Sequence, residues 1–438
     1  MKSWFSAFLF LLICAAPMSA SAQEAADKTA VAHFFRSFNA ACDRDDGKLW
    51  GETLCGPLLV YDKDRGVVYA NEADKEGLLQ PEDIYYWSPS VSADDAPPYT
   101  NTSADWKGKR WATVRIIDIA NSKSALRLAL HESFHRIQQD LEHANADADL
   151  PDHLDAQEGR TLFRAEMRAL RAALDAAADN RKSKVRRHLE NALGFRLMRY
   201  DLFPGAEEKE RALEVHEGLA EYTGWRAAER WPDFRDLADH LAGFDFENSY
   251  MRSFAYRTGP AYGLLFDYLD EDWRGRFSSQ ETSFQSIARR AAGAPGFVKR
   301  ETYESLQQAF ADYDLPALYQ EEAEFAREIA DRKADYLARF VDGRRLVVPL
   351  FQIGFDPQTV MSLDDHGQVY GTLNSGGPWG SINTESGALV VWSERKIYFD
   401  RREPEGDAPW ESDVWTLTLN EGWRIRDDGR DLIIEKAD

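Results

Sequence analysis

Apolar and polar positions along the chain fall into three regimes. Up to about residue 120, short β-rich runs alternate with turn residues. From there to about 342, apolar residues recur at helical spacing, and beyond that the β-rich runs return. In the first regime the run AVAHFFRSFNAA at 30–41 predicts a short amphipathic helix. Pro57–Tyr61 and Val67–Asn71 flank a Gly-bearing turn and predict a hairpin. The Ser-, Pro-, Asp- and Asn-rich stretch 88–105 predicts a loop, and Trp111–Ile119 a strand. Asn121 and Ser122 offer caps for a helix over 123–143. Helices are predicted near 156–178, 184–201, 208–231, 255–270, 282–292, 301–312 and 316–340, with Gly243–Ser253 a loop. From 345 onward, runs such as LVVPLF, QVYGTL, ALVVW and KIYFD are broken by Gly, Asp, Asn and Pro. They predict a separate all-antiparallel module of sandwich or meander type. The fold class is α+β: an N-terminal α/β segment at 23–120 with hairpin and edge strand, a helical domain at 121–342, and an antiparallel β-sandwich-like domain at 343–438.

Residues 1–22 stand apart. Lys2 precedes the apolar run Phe5–Ala16, and Ala20-Ser21-Ala22 places small residues where a signal peptidase reads. Cleavage after Ala22 and delivery to the periplasm or beyond are therefore expected. The run is short for a bilayer span and no other stretch reaches that length, so no membrane anchor is expected. Loss of the leader removes Cys14 and leaves Cys42 and Cys55. In an exported chain these are expected to pair, closing a small loop worth about 2–3 kcal/mol. Two cysteines cannot build a Cys-rich metal site. The formal net charge of −22 is spread along the chain and excludes the basic face a nucleic-acid partner needs. The one basic run, Arg181–Arg187, reads as a solvated helix start. The aromatics Trp379, Trp392, Tyr398, Trp410, Trp415 and Trp423 read as the core of the β module.

The chemistry concentrates at His131-Glu132-Ser133-Phe134-His135, an HExxH motif. On a helix, His131 and His135 are one turn apart on one face, so both imidazoles can reach a single ion. Leu126, Leu130, Phe134, Ile137 and Leu141 form an apolar stripe with the histidines at its flank and Glu132 further round. A zinc site needs a third protein ligand. Gln138 and Leu141 stand where the metzincin pattern requires Gly and His, which excludes that class. Downstream, Glu217 and Glu221 share a predicted helix face with Leu213, Gly224, Trp225 and Ala228. Two carboxylates on an apolar face are costly to bury unless a cation or donor meets them. His216 is expected to point off that face. Glu166, between Leu162 and Leu170, is a core carboxylate paired with an Arg, a second-shell residue, or the third ligand itself.

HESFH followed by EGLAEY resembles the gluzincins, the thermolysin- and aminopeptidase-like zinc metallopeptidases of the peptidase MA-like superfamily. The resemblance covers roughly residues 110–270. It implies a zincin-like, mainly helical core, Zn²⁺ as the cofactor and a peptide or protein substrate. It implies Glu132 as general base, Glu217 as third ligand and Glu221 orienting a ligand histidine. Tyr256-Arg257-Thr258-Gly259 is similar to the Tyr-x-x-Gly segment of aminopeptidase-type gluzincins, which implies Tyr256 as oxyanion donor, with Tyr262 as its rival. An edge strand beside the motif helix, Trp111–Ile119, is expected to hold extended substrate. One departure is clear: Glu217 follows His135 by 82 residues, so two extra helices are inserted. Two other readings remain open, an exported scaffold protein with a structural zinc helix and a zinc hydrolase of a non-peptide amide.

Overall fold

In a computed structural model of the chain, the described residues are 20–120, 122–139, 141, 150–276, 283–293, 310–356, 359–403 and 409–437. Most of the predicted leader, His143 and residues 301–309 of the helix expected at 301–312 lie outside them. The chain divides into two compact units, Met1–Pro316 and Ala317–Asp438. The α+β class holds.

The first unit starts with α1 (Ala20–Asp45), longer than the helix expected at 30–41. Its apolar positions Val31, Phe34, Phe35 and Phe38 are buried. Cys42 near its end pairs with Cys55, with Cα atoms 5.1 Å apart. The expected hairpin forms from β1 (Leu58–Asp62) and β2 (Val67–Ala70). The short strands β3 (Gln80–Pro81) and β4 (Trp87–Ser88) follow, then β5 (Thr102–Trp106) and β6 (Lys109–Arg115), in a sheet of order β3-β4-β2-β1-β6-β5. β6 runs parallel to β1 and antiparallel to β5.

Two expectations change here. The strand expected over Trp111–Ile119 turns into a 3₁₀ turn at Ile116, and it is interior rather than an edge. The edge is β5, in a segment whose composition predicted a loop. Only Trp106 of β5 is buried, so its polar sequence carries no alternation from which pairing could be read.

Strand alternation gives the sheet two buried faces. Leu59, Tyr61, Val68 and Trp111 form a core on one side. Leu58, Val60, Ala112 and Val114 are buried as well. By alternation they lie on the opposite face, and β6 and β5 pack against the motif helix α2 (Ser122–Ile137). α2 ends at Ile137 rather than His143. Ala125, Leu130, Phe134 and Ile137 are buried along it.

The inserted helices α3 (Gln157–Ala178) and α4 (Lys182–Leu202) pack on each other. The single helix expected over 208–231 is α5 (Ala206–Leu213), a π turn at Glu214–Gly218, and α6 (Leu219–Ala228). An unpredicted α7 (Phe234–Ala242) follows, N-capped by Asp233. Then come α8 (Ala255–Tyr268) and α9 (Phe284–Ala291). α6 packs on both α2 and α8.

Among the described residues the second unit contains all but the first two residues of α10 (Leu315–Leu337), which ends in a π turn, and two sheets. Expectation put this helix with the helical domain and the boundary at 342/343. Its Tyr336 and Leu337 instead pack against Phe340, Val347, Val369 and Leu389 of the β module. One sheet has seven strands and the other five, with Trp379 and Trp415 buried among Leu346, Val348, Ile382 and Phe399. That is the structural role expected for these aromatics, whereas Trp392 is 55% exposed. The pairing is antiparallel except where Leu432–Lys436 runs parallel to Arg345–Pro349.

The π turn and the start of α8 meet backbone to backbone at Gly218 and Gly259. A Cβ at Gly259 would be driven into the Gly218 carbonyl. Gly259→Ala should therefore destabilise the protein by about 1–3 kcal/mol in urea unfolding, the usual range for an overpacked contact.

Candidate metal centre

His131 and His135 project from α2 one turn apart, and Glu217 reaches them from the π turn. His131 Nε2 and His135 Nε2 are 3.0 Å apart. Glu217 Oε2 lies 3.4 Å from each of them. Donors set tetrahedrally around a zinc ion stand about 3.3 Å from one another, so this triangle fits three corners of that figure. Among the described residues these three form a group able to hold a metal. Glu217 Oε2 is buried and makes no hydrogen bond. A buried carboxylate oxygen facing two imidazole nitrogens, with no hydrogen bond of its own, is what a coordinated cation would satisfy.

The other ring nitrogens are held from behind. His131 Nδ1 is 2.9 Å from Glu221 Oε2, and Glu221 Oε1 accepts from Trp225 Nε1. His135 Nδ1 is 2.9 Å from Gln138 Oε1. The Gln138 amide nitrogen donates to the carbonyls of Val215 and His216, which settles which way the amide points. Nδ1 of each imidazole thus meets an acceptor behind it, which leaves Nε2 to face inward. Gln138 does two things at once: it orients the His135 imidazole and fastens α2 to the segment that carries Glu217. Its sequence signal was its position three residues beyond His135, on the same helical face.

His216 was expected to point off the ligand face, and it stands outside the His131–His135–Glu217 group, although it lines the cleft. Its Nδ1 is 2.9 Å from Glu217 Oε1, the carboxylate oxygen turned from the triangle. Tyr256, on the first turn of α8, stacks on His131 with ring centroids 5.7 Å apart and also lines the cleft. Its rival Tyr262 is fully buried and donates to Glu166 at 2.7 Å.

Glu166 needs a correction as a neighbour of the metal ligands. It sits in the helical core, where Arg196 Nε donates to it at 2.7 Å and Arg199 lies 2.8 Å from its other oxygen. It is the core carboxylate paired with arginine, and it acts at a distance. Arg196 also donates twice to Glu214, the first residue of the π turn, at 3.0 and 2.6 Å. Thr258, two residues from Tyr256, donates to the same Glu214 carboxylate.

Electrostatics sort the carboxylates. Glu132 is 5% exposed, and its Oε2 has no hydrogen-bond partner. Burial pushes its carboxyl above the ordinary range, against the opposing pull of His131 and His135. Glu217 goes the other way. Burial alone would raise it, but the flanking imidazoles of His131, His135 and His216 hold it far below the usual range. For His131, burial is outweighed by Glu217 and Glu221, and its pKa is pushed up to about 10. The Tyr256 phenol is raised by burial and by Glu217, so it remains a donor. The cleft, of about 290 Å³, is bordered by Asn101, Thr102 and Ser103 at the β5 edge and by Arg110, Glu132 and Tyr256.

Gln138→Leu and Glu221→Ala should each weaken zinc binding about 10–100-fold, read by competition with a chromophoric chelator. Stripping metal with a chelator should lower the melting temperature, and zinc should restore it. Linkage gives about 4 kcal/mol at a thousandfold excess over Kd.

Searched against known proteins, the chain matches no family model, no curated protein and no solved structure.

Proposed function

We propose that the protein is an exported zinc-dependent metallopeptidase of gluzincin type. The observation that carries this reading is the His131–His135–Glu217 triangle opening into a cleft beside Glu132, a buried carboxylate with an oxygen left free. A purely structural zinc site would need a fourth protein ligand and would have no use for a base there. Export is supported by the Cys42–Cys55 disulfide, which belongs to oxidising compartments. Among the described residues no helix is long and apolar enough to cross a membrane.

His131, His135 and Glu217 would hold the ion. When bound, zinc supplies Lewis acidity toward a water and toward the scissile carbonyl. Glu132 takes the proton from that water as its oxygen adds to the carbonyl carbon, and passes it to the leaving nitrogen. A carboxyl raised by burial suits both halves of this transfer. The Tyr256 hydroxyl donates toward the charge that develops on the carbonyl oxygen. β5 is the last strand of its sheet, so its outer edge offers backbone groups to an extended peptide.

Glu132→Gln should keep zinc and lower turnover of a peptide library by at least about 10²–10⁴-fold. Zinc content by elemental analysis and cleavage by mass spectrometry check both halves. Undiminished turnover in this variant would remove Glu132 as the base. A zinc-loaded wild type that cuts no peptide but hydrolyses a cell-wall amide would redirect the substrate class.

A further inference from the structure

We propose that Arg110 makes the cleft selective for substrates carrying a free carboxylate beside the cleaved bond. This rests on the hydrolytic reading above. Among the described residues lining the cleft, Arg110 is the one lysine or arginine. Of the carboxylates lining the cleft, Glu217 faces the imidazoles, and among the described residues the ion pair of Arg110 is with Asp105 rather than with Glu217 or Glu132.

The sheet aims Arg110 there. It precedes Ala112 by two residues on β6, so by alternation it shares the face that Ala112 and Val114 turn toward α2. Ser103, directly opposite Ala112 on β5, accepts from Arg110 Nη2 at 2.8 Å. A peptide added to the outer edge of β5 must therefore run past Ser103 and the guanidinium.

Arg110 is under-partnered for a residue so placed. Its Nε is buried and has no hydrogen-bond partner. Nη1 lies 3.7 Å from Asp105 Oδ2, and that carboxylate is 81% exposed, a pairing that water largely screens. The contrast is with Arg196 and Arg199 of the same unit, each of which holds a carboxylate with two nitrogens. A guanidinium presents its N–H groups as a planar fork matched to a carboxylate, and here part of that fork is unused. The protein's net charge of −22 repels anions at long range, so the attraction of this cation is local to the cleft. A C-terminal α-carboxylate and an Asp or Glu side chain offer the same group.

The test uses full-length, zinc-loaded protein and three matched peptides: one with an internal Glu and an amidated C-terminus, one with Gln and a free C-terminus, and one with Gln and an amidated end. Cleavage is read as kcat/KM, and binding as fluorescence anisotropy on the Glu132→Gln protein. A preference of at least about tenfold for one carboxylate-bearing peptide over the neutral one is expected, carried mainly by KM, and which peptide wins identifies the source. Arg110→Gln should erase the ratio and Arg110→Lys restore part of it. Arg110→Glu should invert the ranking so that the neutral peptide is handled better than either carboxylate-bearing one, a reversal that misfolding cannot produce. Equal handling of all three peptides by wild type, or an unchanged ranking in Arg110→Gln, overturns the proposal. Selective binding without cleavage of any peptide would leave Arg110 in this role and remove the peptidase reading instead.

Discussion

The site depends on one turn of π-helix, Glu214–Gly218. A regular helix through this region would carry Glu217 at a different angle, and π turns are poor structures in isolation. Tertiary contacts over-determine this one. Arg196 and Thr258 grip Glu214, Gln138 takes the carbonyls of Val215 and His216, and the Gly259 backbone closes on Gly218. The residue between these clamps is Glu217. The same contacts fix its neighbours, because Gln138 also holds His135 and the Gly218–Gly259 approach brings Tyr256 onto His131.

Behind the turn, the core of the first unit contains charge. Glu166, Glu210 and Glu214 meet Arg196 and Arg199 at essentially zero exposure. A buried ion pair of this kind adds little net stability compared with well-packed apolar side chains, but losing one partner strands the other at a cost of about 3–5 kcal/mol. What such a network adds is a unique geometry, since each carboxylate has one place where its charge is answered. The two inserted helices that lengthen the path from His135 to Glu217 supply this scaffold: α3 carries Glu166, and α4 carries both arginines.

The front of the motif helix is tied as well. Arg136, next to His135, donates to the carbonyls of Thr53, Leu54 and Cys55, at the end of the loop that the disulfide closes. A Cβ at Gly56 would collide with that guanidinium. The motif helix is therefore held on the sheet side by β6, behind by α6, and at its end by a cross-linked loop. A metal site needs its donors held to within about half an ångström of the productive geometry, and such holding serves that need for the two imidazoles.

Much of this was legible in the sequence for a physical reason: it is local. Periodicity marked α2, α3, α4 and α8; the β-rich runs marked the hairpin and the C-terminal module; two cysteines thirteen residues apart marked their own pairing. One helical turn between His131 and His135 placed both on one face whatever the rest of the chain did. The apolar companions of Glu217 and Glu221 singled them out because an apolar face does not accept carboxylates without a partner. What tertiary structure alone decided is everything set by groups far apart along the chain. That Glu166 answers arginines rather than the imidazoles depended on where α4 lies. That Gln138 joins the site depended on a π turn, which local propensity disfavours and long-range contacts impose. That the edge is β5 rather than β6 depended on strand order, which a polar edge strand does not announce. Side-chain spacing within one helix is dictated by backbone geometry, whereas the meeting of two helices is dictated by packing and by the need to pair every buried charge.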